Sequence, residues 1–399
     1  MKQKICLPIG VVSIGVVAGI AFWFFENMQD KPMANLDEYA VEMVLVCADA
    51  PHRPTCYEEE VPKLVIELNS EQIFEVIRLI RNHDSEYLFC HVLAHELGVH
   101  EMSLDPENWL DVLAKAPSDG LCSNGFTHGA ALARFTGEVV TGRELEESIP
   151  DFSIACESRE GWNPTELQKA ICYHGLGHVL VHLTDAKINP SLEVCEIIAL
   201  KGDGRDYRHL CVEGVYMQLF QPLEPEDYAL IDQLKEPPTR ENIEQFCADN
   251  SNTDSQYGTC WREAWPLFYT QLFTPDGVSE YCESLSESQG RGKCYISSFT
   301  INGRQNLGDP DFMAALCNNV KTEYRGVCFA RGANAFPEEN NQLIAEAVDM
   351  CSRAEQAVVQ DECYSFLAST ASFNFHPGSE SFEEMCSALP KKWNKQCRQ

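Results

Sequence analysis

The chain has 399 residues, with 30 Lys and Arg against 61 Asp and Glu, and a formal net charge of −31. Such a surface repels nucleic-acid phosphates and anionic lipid headgroups, which excludes both as main partners. At 44% hydrophobic residues it still holds enough apolar material for a continuous core.

In chain order, residues 1–6 carry Lys2 and Lys4 and precede Leu7–Phe25, a run of 19 residues without charge. At about 1.5 Å per residue that run spans a bilayer as one transmembrane helix. The lysines before it keep 1–6 in the cytoplasm and send the rest outside. A cleaved signal peptide is the alternative, although no A-x-A-like site follows directly. The expected location is membrane-anchored, with the bulk of the chain extracytoplasmic, in the periplasm or at the cell exterior. Residues 26–35 read as a polar tether. Asn35 is expected to cap a helix running from Leu36 to Cys47, and Ser70 another with Ile73, Val76, Ile77 and Ile80 on one face.

From there a ladder of cysteines governs the chain: Cys56, Cys90, Cys122, Cys172, Cys211, Cys260, Cys294, Cys328, Cys363 and Cys397, spaced by 34, 32, 50, 39, 49, 34, 34, 35 and 34 residues. A period near 34 is the length of one helix–turn–helix unit, so the expected fold is all-α, an α-solenoid of stacked repeats. Eight rungs have a second cysteine 9 to 16 residues upstream: Cys47, Cys156, Cys195, Cys247, Cys282, Cys317, Cys351 and Cys386. A bond across each gap staples the two helices of a repeat. Cys90 and Cys122 are left for each other, and Cys6 is left over. No CxxC occurs, so disulfides are favoured over zinc, and disulfides persist in an oxidising compartment.

Residues 36–221 form a histidine-bearing front half, 222–240 a Pro- and acid-rich insertion, and 241–399 a regular rear half. Segments 137–153, 184–191 and 222–240 read as decorations between repeats. In the rear half each second helix is expected to open at its cysteine. Gly258, Gly292 and Gly326, two residues earlier, are expected in tight turns with positive φ. Aromatic residues follow many rung cysteines and suit packing against the bond beside them.

The 34-residue period and the cysteine ladder resemble disulfide-stapled helical-pair repeats of the Sel1-like and tetratricopeptide class. The tetratricopeptide W…LG…Y…A pattern is absent. The resemblance implies an extracytoplasmic helical array and says little about chemistry.

The histidines are concentrated in the front half. His91 and His95 lie four apart in FCHVLAHELG, as do His174, His178 and His182 in CYHGLGHVLVH. Spacing i, i+4 sets imidazoles on one helix face, the usual way for a helix to offer two metal ligands. Aligned on cysteine, Cys122…His128, Cys172…His178 and Cys211…Met217 follow C-x-x-G-x-x-[H/M]. His128, His178 and Met217 would then form a row, with Gly125, Gly175 and Gly214 clearing space beside it. Glu96 takes the row position in the Cys90 rung, and Glu213 the position of His174. The equivalent rear positions, Pro266, Thr300, Asn334 and Ser369, hold no histidine.

The expected metal ligands are His91, His95, His128, His174 and His178, with Met217 and His182 secondary. Glu96 and Glu213 are the candidates for catalysis. The expected cofactor is a transition metal (iron, copper or zinc), or noncovalent haem; the lack of CxxCH excludes covalent c-type haem. HELGVH is HExxxH, not the HExxH of zincins. Two functions stay open: a histidine-rich metal centre for binding, redox chemistry or metal-assisted catalysis, or a protein-interaction scaffold whose concave wall binds a partner and whose histidines are structural. Whether the chain is an enzyme stays open too.

Overall fold

The computed structural model describes residues 36–84, 87, 90–117, 121–135, 142–222 and 225–399. The expected membrane span at 7–25 and Cys6 lie outside these residues. Among the described residues, no helix is long and apolar enough to cross a membrane.

The described residues are all-α, with 22 α-helices and, in place of strands, two isolated bridges, Arg159 with Trp162 and Leu200 with Asp206. In chain order the helices are α1 (Leu36–Cys47), α2 (Arg53–Glu60), α3 (Ser70–His83), α4 (His91–Leu104), α5 (Trp109–Leu113), α6 (Gly125–Phe135), α7 (Gly142–Ala155) and α8 (Glu166–Leu183). Then come α9 (Ile188–Ile198), α10 (Arg208–Phe220), α11 (Pro225–Ile231), α12 (Ile243–Asp249), α13 (Asp254–Glu263), α14 (Tyr269–Leu272) and α15 (Pro275–Glu283). The last are α16 (Arg291–Gln305), α17 (Pro310–Asn319), α18 (Arg325–Glu339), α19 (Ile344–Ser352), α20 (Ala357–Asn374), α21 (Glu380–Ala388) and α22 (Lys391–Cys397).

They divide after Tyr87 into two compact units. In the first, α1 packs on α3. The cap of α3 is Asn69 rather than Ser70. Asn69 Oδ1 accepts from the Gln72 amide and Gln72 Oε1 accepts from the Asn69 amide, at 2.9 and 3.1 Å. This reciprocal pair satisfies two donors that a serine one residue later could not reach.

In the second unit the rung helices α4, α6, α8, α10, α13, α16, α18, α20 and α22 pack each on the next. Behind them α7 lies on α9, and α15, α17, α19 and α21 follow one another. The rung row curls inward, because α20 also packs against α8, and α18 against the turn at residues 121–124.

All nine expected disulfides are present, with Cα atoms 4.7 to 5.7 Å apart. Seven of them tie a back helix to its rung helix in the second unit; Cys90–Cys122 instead joins two rung segments directly. They place the described chain in an oxidising, extracytoplasmic environment.

Local details differ from expectation. Rear rung helices begin before their cysteine, as α16 does at Arg291 and α20 at Ala357. The segment 137–153 is no mere decoration: helix α7 is the back helix stapled through Cys156 to Cys172. Gly258, Gly292 and Gly326 lie inside helices, and in the turn before Cys294 it is Gly290 that has positive φ, at 86°. Gly258 answers a close approach, since a Cβ there would fall 1.6 Å from the Gln289 carbonyl oxygen.

Candidate functional site

The five front imidazoles come together. Ring centroids are 5.7 Å apart for His91 and His128, 4.9 Å for His95 and His128, 4.5 Å for His128 and His178, and 4.9 Å for His174 and His178. Glycine makes the approach feasible. A Cβ on Gly125 would lie 2.2 Å from the His91 carbonyl oxygen, and one on Gly129 would lie 2.1 Å from that of His95. Gly175 has ordinary room, its nearest neighbour being 3.8 Å away on His128.

The nitrogens do not converge on a point. His128 Nδ1 faces His91 Nε2 at 3.5 Å, His174 Nε2 meets Met217 Sδ at 3.1 Å, and His178 Nδ1 meets Gln218 Oε1 at 2.5 Å. Gln218 donates its amide to Asp227 Oδ1 at 2.5 Å, and His182 Nε2 reaches the same oxygen at 3.1 Å. Asp227, as an acceptor, therefore sets the direction of this chain: Gln218 turns its NH2 to Asp227 and offers Oε1 to a proton on His178 Nδ1. The cavity among these groups, lined by His91, His95, His128, His178, Gln218 and Asp227, is about 10 Å³, space for roughly one water molecule.

Among the described residues, no three or more His, Cys, Asp or Glu side chains are arranged to hold a metal ion. The 18 described cysteines are consumed in disulfides, and the imidazoles pack tilted or edge to ring and bond to Gln218, Met217, Asp227 and one another. This overturns the expected iron, copper or zinc centre on His91, His95, His128, His174 and His178, with Met217 and His182 in support. Noncovalent haem falls with it, for the cavity admits nothing of that size.

What the row has is neutral charge. Burial holds His128 and His174 well below the ordinary histidine range, and the neighbouring imidazoles, with Arg304 beside His174, push the same way. Burial brings His178 down to about 4, although its bond to Gln218 and the charge of Asp227 pull upward.

The two glutamates part company. Glu96 is exposed on α4, away from the row. Its register fails because Cys90 caps a rung helix and bonds to the next rung segment, so alignment on Cys90 does not transfer. Glu213 is ion-paired to Arg262 at 3.2 Å, with Arg262 buried at 3% exposure.

Glu213 opens onto a second cluster absent from the sequence reading. Glu263 accepts from the Gln221 amide at 3.2 Å. Burial, and then the like charge of Glu213, raise its carboxyl to about 8. Arg304 pairs with Glu339 at 2.8 Å and Glu338 at 3.4 Å. The available signal was one helical turn beyond the histidine row: His182, Gln221, Arg304 and Glu338 each stand ten residues after a rung cysteine.

No protein family, curated protein or solved structure matches this chain.

Proposed function

We propose that the chain is a membrane-anchored, extracytoplasmic α-solenoid serving as a protein-interaction scaffold, with its front histidines as structural members of the wall. The observation that carries this reading is the unbroken succession of rung helices from α4 to α22, each tied to its neighbourhood by a disulfide and curled so that α20 reaches α8. Stacked helix pairs of this kind bury a continuous core between units and present a curved wall to a partner. The rear cysteine spacing of 34 to 35 residues agrees with a repeating unit, as does the likeness to Sel1-like and tetratricopeptide arrays. The anchor rests on the uncharged run Leu7–Phe25. Imidazoles that are neutral, buried and bonded to Gln218 and Met217 contribute polar packing rather than a reaction.

Photo-cross-linking from two positions of the full chain in its native cell tests the reading. Thr300 holds the rung-helix position that His128 and His178 occupy in front, whereas Ile197 is 57% exposed on back helix α9. A photoreactive residue at 300 is expected to give one adduct of defined mass, lost on reduction of the disulfides, and one at 197 to give none. Equal labelling from both positions, or none from 300, contradicts the scaffold.

A further inference from the structure

Around Glu263 the rung helices gather four carboxyl groups and three guanidinium groups. Glu213 pairs with Arg262, and Glu338 and Glu339 pair with Arg304. Arg331, stacked over Phe366 at 4.4 Å, adds its charge beside Glu338. Glu263 accepts a hydrogen bond from the neutral Gln221 amide, and burial and the Glu213 charge outweigh the nearby Arg262 and Arg304 charges. A buried carboxylate beside a like charge needs a counter-charge or a proton.

A second observation is independent of that imbalance. Arg262 is 3% exposed, and its Nε–H is buried without an acceptor, while its Nη2 holds Glu213. Leaving a buried donor unmatched is costly, so this position calls for an oxygen. The cluster is also reachable: the side chains of Glu213 and Arg304 are 23% and 45% exposed.

We infer that the rung-helix wall at Glu263, Glu213 and Arg262 binds a primary ammonium group carrying a neighbouring carbonyl or carboxylate oxygen, the chemistry of a peptide amino terminus or a free amino acid. The ammonium takes the place of the proton on Glu263 and donates to its carboxylate; the adjacent oxygen accepts from Arg262 Nε. The charges around the carboxyl are Glu213 on α10, Arg262 on α13, and Arg304 on α16, with the Tyr281 hydroxyl on α15. Binding therefore releases a proton. At pH 6.5 Glu263, raised to about 8, is protonated, so close to one proton leaves for each ligand bound. The inference rests on the scaffold reading only in taking this wall as the binding face.

The test is calorimetric titration of the full chain at pH 6.5 in buffers of different ionisation enthalpy. The probes are trialanine amide, its N-acetylated form, and free alanine. Trialanine amide is expected to bind saturably with release of about one proton, and the acetylated form at least tenfold more weakly. Binding by alanine equal to that of trialanine amide identifies a free amino acid as the ligand, and weaker binding identifies a peptide terminus. Glu263→Gln, with unchanged circular dichroism, is expected to lose the proton release and at least tenfold in affinity. Equal binding of acetylated and free peptide, binding without proton release, or no binding of any probe overturns the inference. The wild-type comparison of acetylated and free peptide stands even if the variant misfolds. A failed titration with intact cross-linking from position 300 rejects this site alone and leaves the scaffold standing.

Discussion

A Cβ built on Gly214 falls 1.9 Å from the carbonyl oxygen of His174. Helices α8 and α10 therefore meet backbone to backbone, and the same contact presses His174 against Met217. Gly214→Ala has to push the helices apart, an overpacking cost of about 1–3 kcal/mol or more. Urea unfolding under oxidising conditions should show a lower midpoint. Gly292 is the control: it lies in α16 and a Cβ there meets nothing within 4 Å. Gly292→Ala should stabilise by about 0.4–1 kcal/mol.

The histidine row makes stability fall on acidification. The unfolded chain takes up protons below about pH 6.5, whereas His128, His174 and His178 in the folded chain refuse them until well below that, to about 4 for His178. The folded state then binds fewer protons, so stability is complete above about pH 6.5 and is lost as pH falls toward 4. For His178 alone the loss amounts to about 3 kcal/mol. Unfolding midpoints of wild type and His178→Gln, compared from pH 7 to pH 4.5, should converge as pH drops.

Glu263 acts in the opposite direction. Its folded carboxyl, raised to about 8, binds a proton that the unfolded chain gives up near 4.5. Its contribution is therefore full below pH 4.5 and is lost as pH rises to about 8. Glu263→Gln should leave stability at pH 5 nearly unchanged and raise it relative to wild type at pH 8.5. A variant that is destabilised at pH 8.5 would show that the carboxylate, not the acid, is the favoured form.

The disulfides should differ in weight by loop length. Cys90–Cys122 closes 32 residues and Cys386–Cys397 closes 11. Chain entropy assigns them about 4 and about 3 kcal/mol respectively. The double serine variant at 90 and 122 should unfold at lower urea than that at 386 and 397.

The pairing of cysteines was readable because most rungs have only one partner within a turn's reach, and Cys90 and Cys122 were left over. The convergence of imidazoles was readable because stacked rungs repeat the same position, and His128 and His178 do meet. The metal centre was misread for a specific reason. Helical spacing puts His174 and His178 on one face, but the ring orientation depends on Met217, Gln218 and Asp227 from helices α10 and α11. Glu96 was misplaced because Cys90 does not staple a helix pair. The Glu263 cluster has no visible motif, because the position ten residues after the rung cysteine carries histidine, glutamine, threonine, arginine and glutamate in turn, and Glu263 itself lies outside that register.

The central claim is that His128, His174 and His178 form a neutral, hydrogen-bonded part of the wall. Nitrogen-15 NMR of histidine-labelled protein, titrated from pH 8 to pH 5, reads it directly. The account predicts that His128, His174 and His178 stay neutral throughout, with the His178 proton fixed on Nδ1. Titration of these three near pH 6.5, with both ring nitrogens exchanging freely, would contradict it.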